Sequence, residues 1–111
     1  MDKIDQPEIH LALVPEGVKV RLTKVSEAPD PMHPNNIPTG DTRVGYVRPE
    51  FLTPIIGIRW GLESVIEKNG ESLSPNHWFL TSEVIEIIEN NTFNKTIQFR
   101  TLNSIYKIEI L

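Results

Sequence analysis

Apolar side chains recur at every second position near both ends of this chain, and that period limits its folding more than any other feature. Ile9, Leu11 and Leu13 alternate with His10 and Ala12. After Pro15-Glu16-Gly17, Val18, Val20 and Leu22 alternate with Lys19, Arg21 and Thr23. Successive side chains of a strand point to opposite faces, so each run has one apolar and one polar face, as in a sheet with one side in water. The two runs are expected to form a hairpin across the turn residues. Residues 96–101 and 104–111 repeat the pattern across Leu102-Asn103, with Ile97, Phe99, Tyr106, Ile108 and Ile110 apolar and Lys107 and Glu109 facing out.

The middle of the chain differs. Six of the nine prolines fall between Pro29 and Pro54, with Asn35-Asn36 and Gly40-Asp41 among them. Proline cannot donate to a strand ladder and biases its predecessor toward extended backbone, so residues 28–40 are expected to form a long loop. Loops of that length in small domains often carry function, which draws attention to His33, Asn35 and Asn36. Residues 42–47 and 55–60 are expected to be short strands bounded by Pro49 and Pro54, with bends or bulges at Gly57 and Gly61. Asn69-Gly70 is a strong turn dipeptide, read together with residues 71–76 as a second polar loop.

Residues 78–89 are the ambiguous segment. Val84, Ile85, Ile87 and Ile88 have helical spacing and Ser82 would serve as an N-cap, but four β-branched residues in five positions favour a pleated surface. The strand reading is preferred. The expected fold is all-β, a small SH3-like or partly open β-barrel of five to six short strands, or α+β if 78–89 is helical. Residues 1–8 read as an N-terminal arm and 9–111 as a single domain, since 111 residues leave room for one core.

Composition excludes several function classes. The formal charge of −4 opposes generic nucleic-acid binding, although Lys19, Arg21 and Lys24 with Arg43, Arg48 and Arg59 would make a basic stripe if they shared a surface. With no cysteine there is no disulfide, thiol nucleophile or thiolate metal site. The first residues do not resemble a signal peptide and no apolar run approaches the roughly 20 residues that span a bilayer, so a cytoplasmic protein with no membrane association is expected. The sequons at Asn90 and Asn94 are read as a polar turn.

No catalytic constellation emerges. His10, His33 and His77 have no metal-ligand spacing, and no phosphate-cradling glycine loop or nucleophile elbow occurs. Glu83, Glu86 and Glu89 would share a side on a helix and are expected to alternate sides on a strand. Trp60, Trp78, Phe79 and Tyr106 make either an aromatic platform or core. Thr81, Ser82, Thr101, Asn103 and Ser104 make either a polar ligand site or turn caps.

The segments Trp78-Phe79-Leu80-Thr81-Ser82-Glu83-Val84-Ile85-Glu86-Ile87 and Phe99-Arg100-Thr101-Leu102-Asn103-Ser104-Ile105-Tyr106-Lys107 resemble a set of short proteins of bacteriophages and other mobile elements. Its pattern is T-S-x-V-x-E-I followed by F-x-T-x-N-S-x-Y, and 33–37 recurs there as well. The resemblance covers about half of the chain and implies a compact β-domain of phage or mobile-element origin, with no activity or catalytic residue to carry over. The chain departs from the shorter members in its N-terminal hairpin and in an insert at 63–76.

The expected function is therefore a non-enzymatic binding protein, phage- or mobile-element-encoded. It would act in the host cytoplasm as a counter-defence protein on a host or bacterial protein or a small nucleotide signal. The candidate ligand-binding residues are His33, Asn35, Asn36, Trp60, Trp78, Thr81, Ser82, Thr101, Asn103 and Ser104, with no metal and no cofactor. Open strand edges would favour a homo-oligomer. The alternatives are a nucleic-acid-binding barrel using Arg21, Arg43 and Arg59, a virion or structural accessory, and an enzyme built around His33 and Asp41.

Overall fold

The alternating runs that begin at Val18, Thr96 and Ser104 become strands, and they belong to a sheet that closes on itself. The computed structural model describes residues 17–31 and 37–111; the expected arm at 1–8, the strand expected at 9–13, and His33, Asn35 and Asn36 lie outside the described residues. Strand β1 (Val18–Glu27) pairs antiparallel with β2 (Thr42–Val47) on one side and with β6 (Ser104–Ile110) on the other. Strands β3 (Arg59–Lys68), β4 (Glu71–Asn91) and β5 (Thr96–Thr101) complete the order β1-β2-β3-β4-β5-β6, a closed barrel in which sequence neighbours are sheet neighbours. The expected small all-β barrel is thus what the chain forms, with six strands, and it is closed rather than partly open. The helical option for 78–89 is not taken, and the strands are not all short, since β4 alone has 21 residues.

Turn chemistry sets the registers. Asn69 and Gly70 both have positive φ, 52° and 88°, which is the backbone of a two-residue turn whose twist matches that of the strands it joins, and Lys68 faces Glu71 across it. The Asn69 carboxamide accepts from Thr42 N at 2.8 Å and donates to Asp41 Oδ1 at 2.7 Å, tying the hairpin to the start of β2. This hairpin corrects two expectations. The supposed polar loop at 71–76 belongs to β4, which bulges there: the six residues from Ser72 to His77 face the three from Glu67 to Val65. The strand expected at 55–60 begins only at Arg59, because Ile55 to Ile58 form a turn that requires φ 91° at Gly57.

Strand β4 serves two neighbours, β3 along its first part and β5 along its second. Three single-residue bulges, at Leu80 to Glu83, Val84 to Glu86 and Ile87 to Glu89, add a residue to β4 at each point. Bulges bend a strand and increase its local twist, as turning a barrel corner requires. They also rephase the side chains, so Glu83, Glu86 and Glu89 all lie exposed opposite Arg59, Arg100 and Gln98 rather than alternating sides.

The inward positions fill the barrel with Val20, Leu22, Val47, Leu62, Val84 and Ile108 around a train of rings. Trp60 meets Phe99 at 5.7 Å between centroids, Phe99 stacks on Tyr106 at 5.6 Å, and Phe79 meets Tyr106 edge-on at 6.2 Å. Lys24 departs from the expected solvated cationic face. It follows Val20 and Leu22 in the inward register and is 1% exposed. Its aliphatic stem is buried while Nζ donates to the Ile37 carbonyl at 2.7 Å and pairs with Glu27, so the ammonium is satisfied at the barrel end.

Gly45 is the tightest point of the wall: a Cβ there would lie 2.2 Å from the Ser64 carbonyl oxygen. Gly45→Ala is expected to cost on the order of 1–3 kcal/mol as β2 is pushed off β3. A urea midpoint equal to that of the parent would contradict this close approach.

Candidate functional site

After Val47 the chain leaves the barrel and returns at Arg59. Pro49, which lacks an N–H and has its φ preset, opens a single 3-10 turn over Pro49–Phe51, and Pro54 and Gly57 shape the return. Three contacts hold this excursion. Trp60 Nε1 donates to the Leu52 carbonyl at 3.1 Å, Gly57 N donates to Val84 O at 2.8 Å, and Val84 N donates to Ile58 O at 3.1 Å. Leu52 also packs on the core. Fixed at both ends, the excursion stands beside the barrel wall and leaves a groove of about 360 Å³.

The groove is apolar because of what each element turns outward. The excursion contributes Phe51, Ile55 and Ile58, β4 contributes Trp78 and Leu80, and all five are exposed. Trp78 is 69% exposed, unusual for the largest apolar side chain unless something covers it. Between them lies Gly61, where a Cβ would come within 2.5 Å of Leu80 Cδ2 and 2.8 Å of Phe79 O, so a larger residue would displace Leu80 and press on the β4 backbone. Charges stand only at its margin. Arg48 pairs with Glu63 at 3.1 Å, and Arg59 donates from Nε to the Thr81 carbonyl at 2.7 Å. A volume in the range of ligand pockets and apolar walls, with Thr53, Arg59 and Glu63 as the polar residues of the lining, give this groove the character of a binding surface.

Two of the sequence candidates, Trp60 and Trp78, line this groove. They do so differently, since Trp60 is buried in the core and shows the groove one flank while Trp78 stands in solvent. Thr81, Ser82, Thr101, Asn103 and Ser104 come together elsewhere, at the turn between β5 and β6, and their polar atoms bond one another. Thr101 Oγ1 accepts from the backbone N–H groups of Asn103 (3.2 Å) and Ser104 (3.1 Å) and donates to Ser104 O, while Asn103 Nδ2 donates to Ser82 Oγ at 2.6 Å. Thr81 Oγ1 accepts from Trp60 N and donates to Ser82 O. This is turn capping, and it fastens β4 to the β5–β6 hairpin. His33, Asn35 and Asn36 lie outside the described residues.

Several of the basic residues are engaged by acids of the same chain. Arg21 pairs with Glu109 at 3.6 Å and Arg100 with Glu86 at 3.3 Å. Arg43 pairs with Asp41 at 3.4 Å and lies 4.4 Å above the Phe79 ring. Asp41, the carboxylate considered beside His33, is buried and engaged by Asn69 and Arg43. Among the described residues no group of three or more His, Asp or Glu is placed to hold a metal ion, and no helix is long and apolar enough to cross a membrane. Comparison with known protein families, curated proteins and solved structures returns no match for this chain.

Sequence reasoning missed Phe51, Ile55, Ile58, Gly61 and Leu80. The available signal was Ile55-Ile56-Gly57-Ile58, a cluster of apolar residues that breaks the period of two between Pro54 and Arg59.

If the Thr-Ser-Asn cluster is structural, Thr101→Val will leave the Asn103 and Ser104 amides without their acceptor. The expected cost is roughly 2–6 kcal/mol, from about 1–3 kcal/mol for each of the two buried unsatisfied groups. Denaturant unfolding measures it, and a change below about 0.5 kcal/mol would return the cluster to candidacy as a ligand site.

Proposed function

We propose that this protein is a non-enzymatic binding protein that recognises an apolar segment of another protein in the groove beside β3 and β4. The observation that carries the reading is Trp78, an exposed indole set among exposed isoleucines and leucine around a depression that the Pro49–Ile58 excursion is held back from filling. Hot spots of protein recognition are built in this way, from a large aromatic anchor beside a pocket lined with apolar side chains.

A nucleotide signal fits the groove less well. Its phosphates call for several cations, and Arg59 is the basic residue among those that line the groove. The nucleic-acid reading is less favoured, because two of its three arginines, Arg21 and Arg43, have acidic partners in the same chain. The resemblance to small phage and mobile-element proteins implies such an origin and no activity; on that origin we propose a counter-defence role, with a host or bacterial protein as the partner.

A displayed random-peptide library selected on the wild-type protein, with Trp78→Ala for counter-selection, tests the reading. Trp78 is exposed and outside the core, so the variant is expected to fold with an unchanged unfolding midpoint. Enrichment of peptides rich in bulky apolar residues that bind wild type at least about tenfold better than Trp78→Ala is the expected result. If the enriched peptides bind both proteins alike, or none is enriched, the groove is not the recognition surface.

A further inference from the structure

The pairing of β2 with β3 runs from Arg43 opposite Lys68 to Tyr46 opposite Ser64 and stops there, because β2 ends at Val47 and the chain swings away. β3 itself continues back to Arg59. Residues 59–63 are therefore paired with β4 on one side only, and among the described residues no backbone hydrogen bond joins them to the 48–58 excursion. The barrel is closed as a whole, yet it has a short open strand edge, and that edge is a wall of the groove.

Along an antiparallel strand, alternate residues turn both their N–H and C=O groups toward the same neighbour, so roughly two or three residues of this stretch offer theirs to the open side. An open edge is a template for another strand. At one end stands Arg59, its guanidinium held through Nε by the Thr81 carbonyl and in no ion pair among the described residues, whereas the other margin is neutralised by the Arg48–Glu63 pair.

We infer that the occupant of the groove is an extended peptide segment that adds a strand along residues 59–63. A bulky apolar side chain of the segment rests against Trp78 and a carboxylate lies at Arg59. The inference rests on the binding function proposed above and gives the partner its form, an exposed extended segment of alternating apolar residues next to an acid. Main-chain hydrogen bonds supply affinity along the edge, and the Trp78 pocket and Arg59 supply selectivity.

The test titrates the full chain with a synthetic octapeptide of alternating isoleucine and threonine carrying one aspartate. Two relatives are run beside it, one with asparagine for the aspartate and one N-methylated at alternate residues so that it cannot donate to an edge. Tryptophan emission, with Trp78→Phe as the control that leaves Trp60 alone, and the hydrogen exchange of amides 59–63 are read. The parent peptide is expected to shift the emission and slow exchange at one or more of these amides. N-methylation is expected to weaken binding by about tenfold or more, since each lost backbone bond is worth about 1 kcal/mol. Asparagine is expected to weaken binding several-fold, and Arg59→Gln to abolish the difference between the two peptides. Equal binding of the methylated peptide in either register overturns strand addition while leaving the groove reading intact. No binding of the parent peptide by a protein that has selected Trp78-dependent peptides also overturns it. A concentration-dependent dimer in sedimentation that itself protects amides 59–63 assigns the edge to a second copy and overturns the peptide partner.

Discussion

A six-stranded sheet can return to its own first strand only if it turns corners without losing its hydrogen bonds, and in this protein β4 carries that requirement. It is bonded to β3 before the corner and to β5 after it, and three single-residue bulges in ten positions bend it between the two. The other features follow from this bend. The corner brings β5 and β6 round to meet β1, encloses the Trp60, Phe99 and Tyr106 rings, and turns Trp78 and Leu80 outward. The polar cluster around Thr101 and Asn103 fixes the same corner from the side, since Asn103 reaches Ser82 and Leu102 N reaches Glu83 O.

The same bend explains which parts of the fold were legible in the sequence. Strands with no extra residue of their own to break the alternation were plain: 18–22, Thr96–Thr101 and the β6 run show the period of two. Residues 78–89 resembled a helix for a physical reason. Each bulge adds one residue to a period of two, so inward positions fall at Thr81, Val84 and Ile87, three apart, and the outward glutamates fall at 83, 86 and 89. A bulged strand and a helix share that spacing, and only the β-branched content at 84–88 told them apart. Lys24 shows the converse, a cation in an inward register that the alternation alone assigns correctly once the eye is not diverted by its charge.

The candidate site was half legible. Trp78 could be singled out by residue type, and Trp60 with it, although the latter proves to be mainly core. The rest of the groove comes from an excursion whose apolar residues have no period to read, placed by contacts across 8 to 27 residues of sequence, such as Trp60 to Leu52 and Gly57 to Val84. The Thr-Ser-Asn residues attracted notice because they are polar and clustered, and that clustering serves the turn. Polar residues grouped near strand ends have backbone amides to satisfy before they have a ligand to hold.

The seam that closes the barrel has a mechanical side. β1 and β6 are antiparallel, with Val20 opposite Ile110 and Leu111 N bonded to Lys19 O, so the start of β1 and the end of β6 lie next to each other. A force that draws these two points apart loads the seam as a zipper, breaking its bonds one pair at a time from Val20 and Ile110 toward Glu27 and Ser104, rather than shearing them all at once. A shell that resists denaturant as one cooperative unit would then yield at low force when pulled along its own chain, and whatever grips it at this seam would need little work to open it.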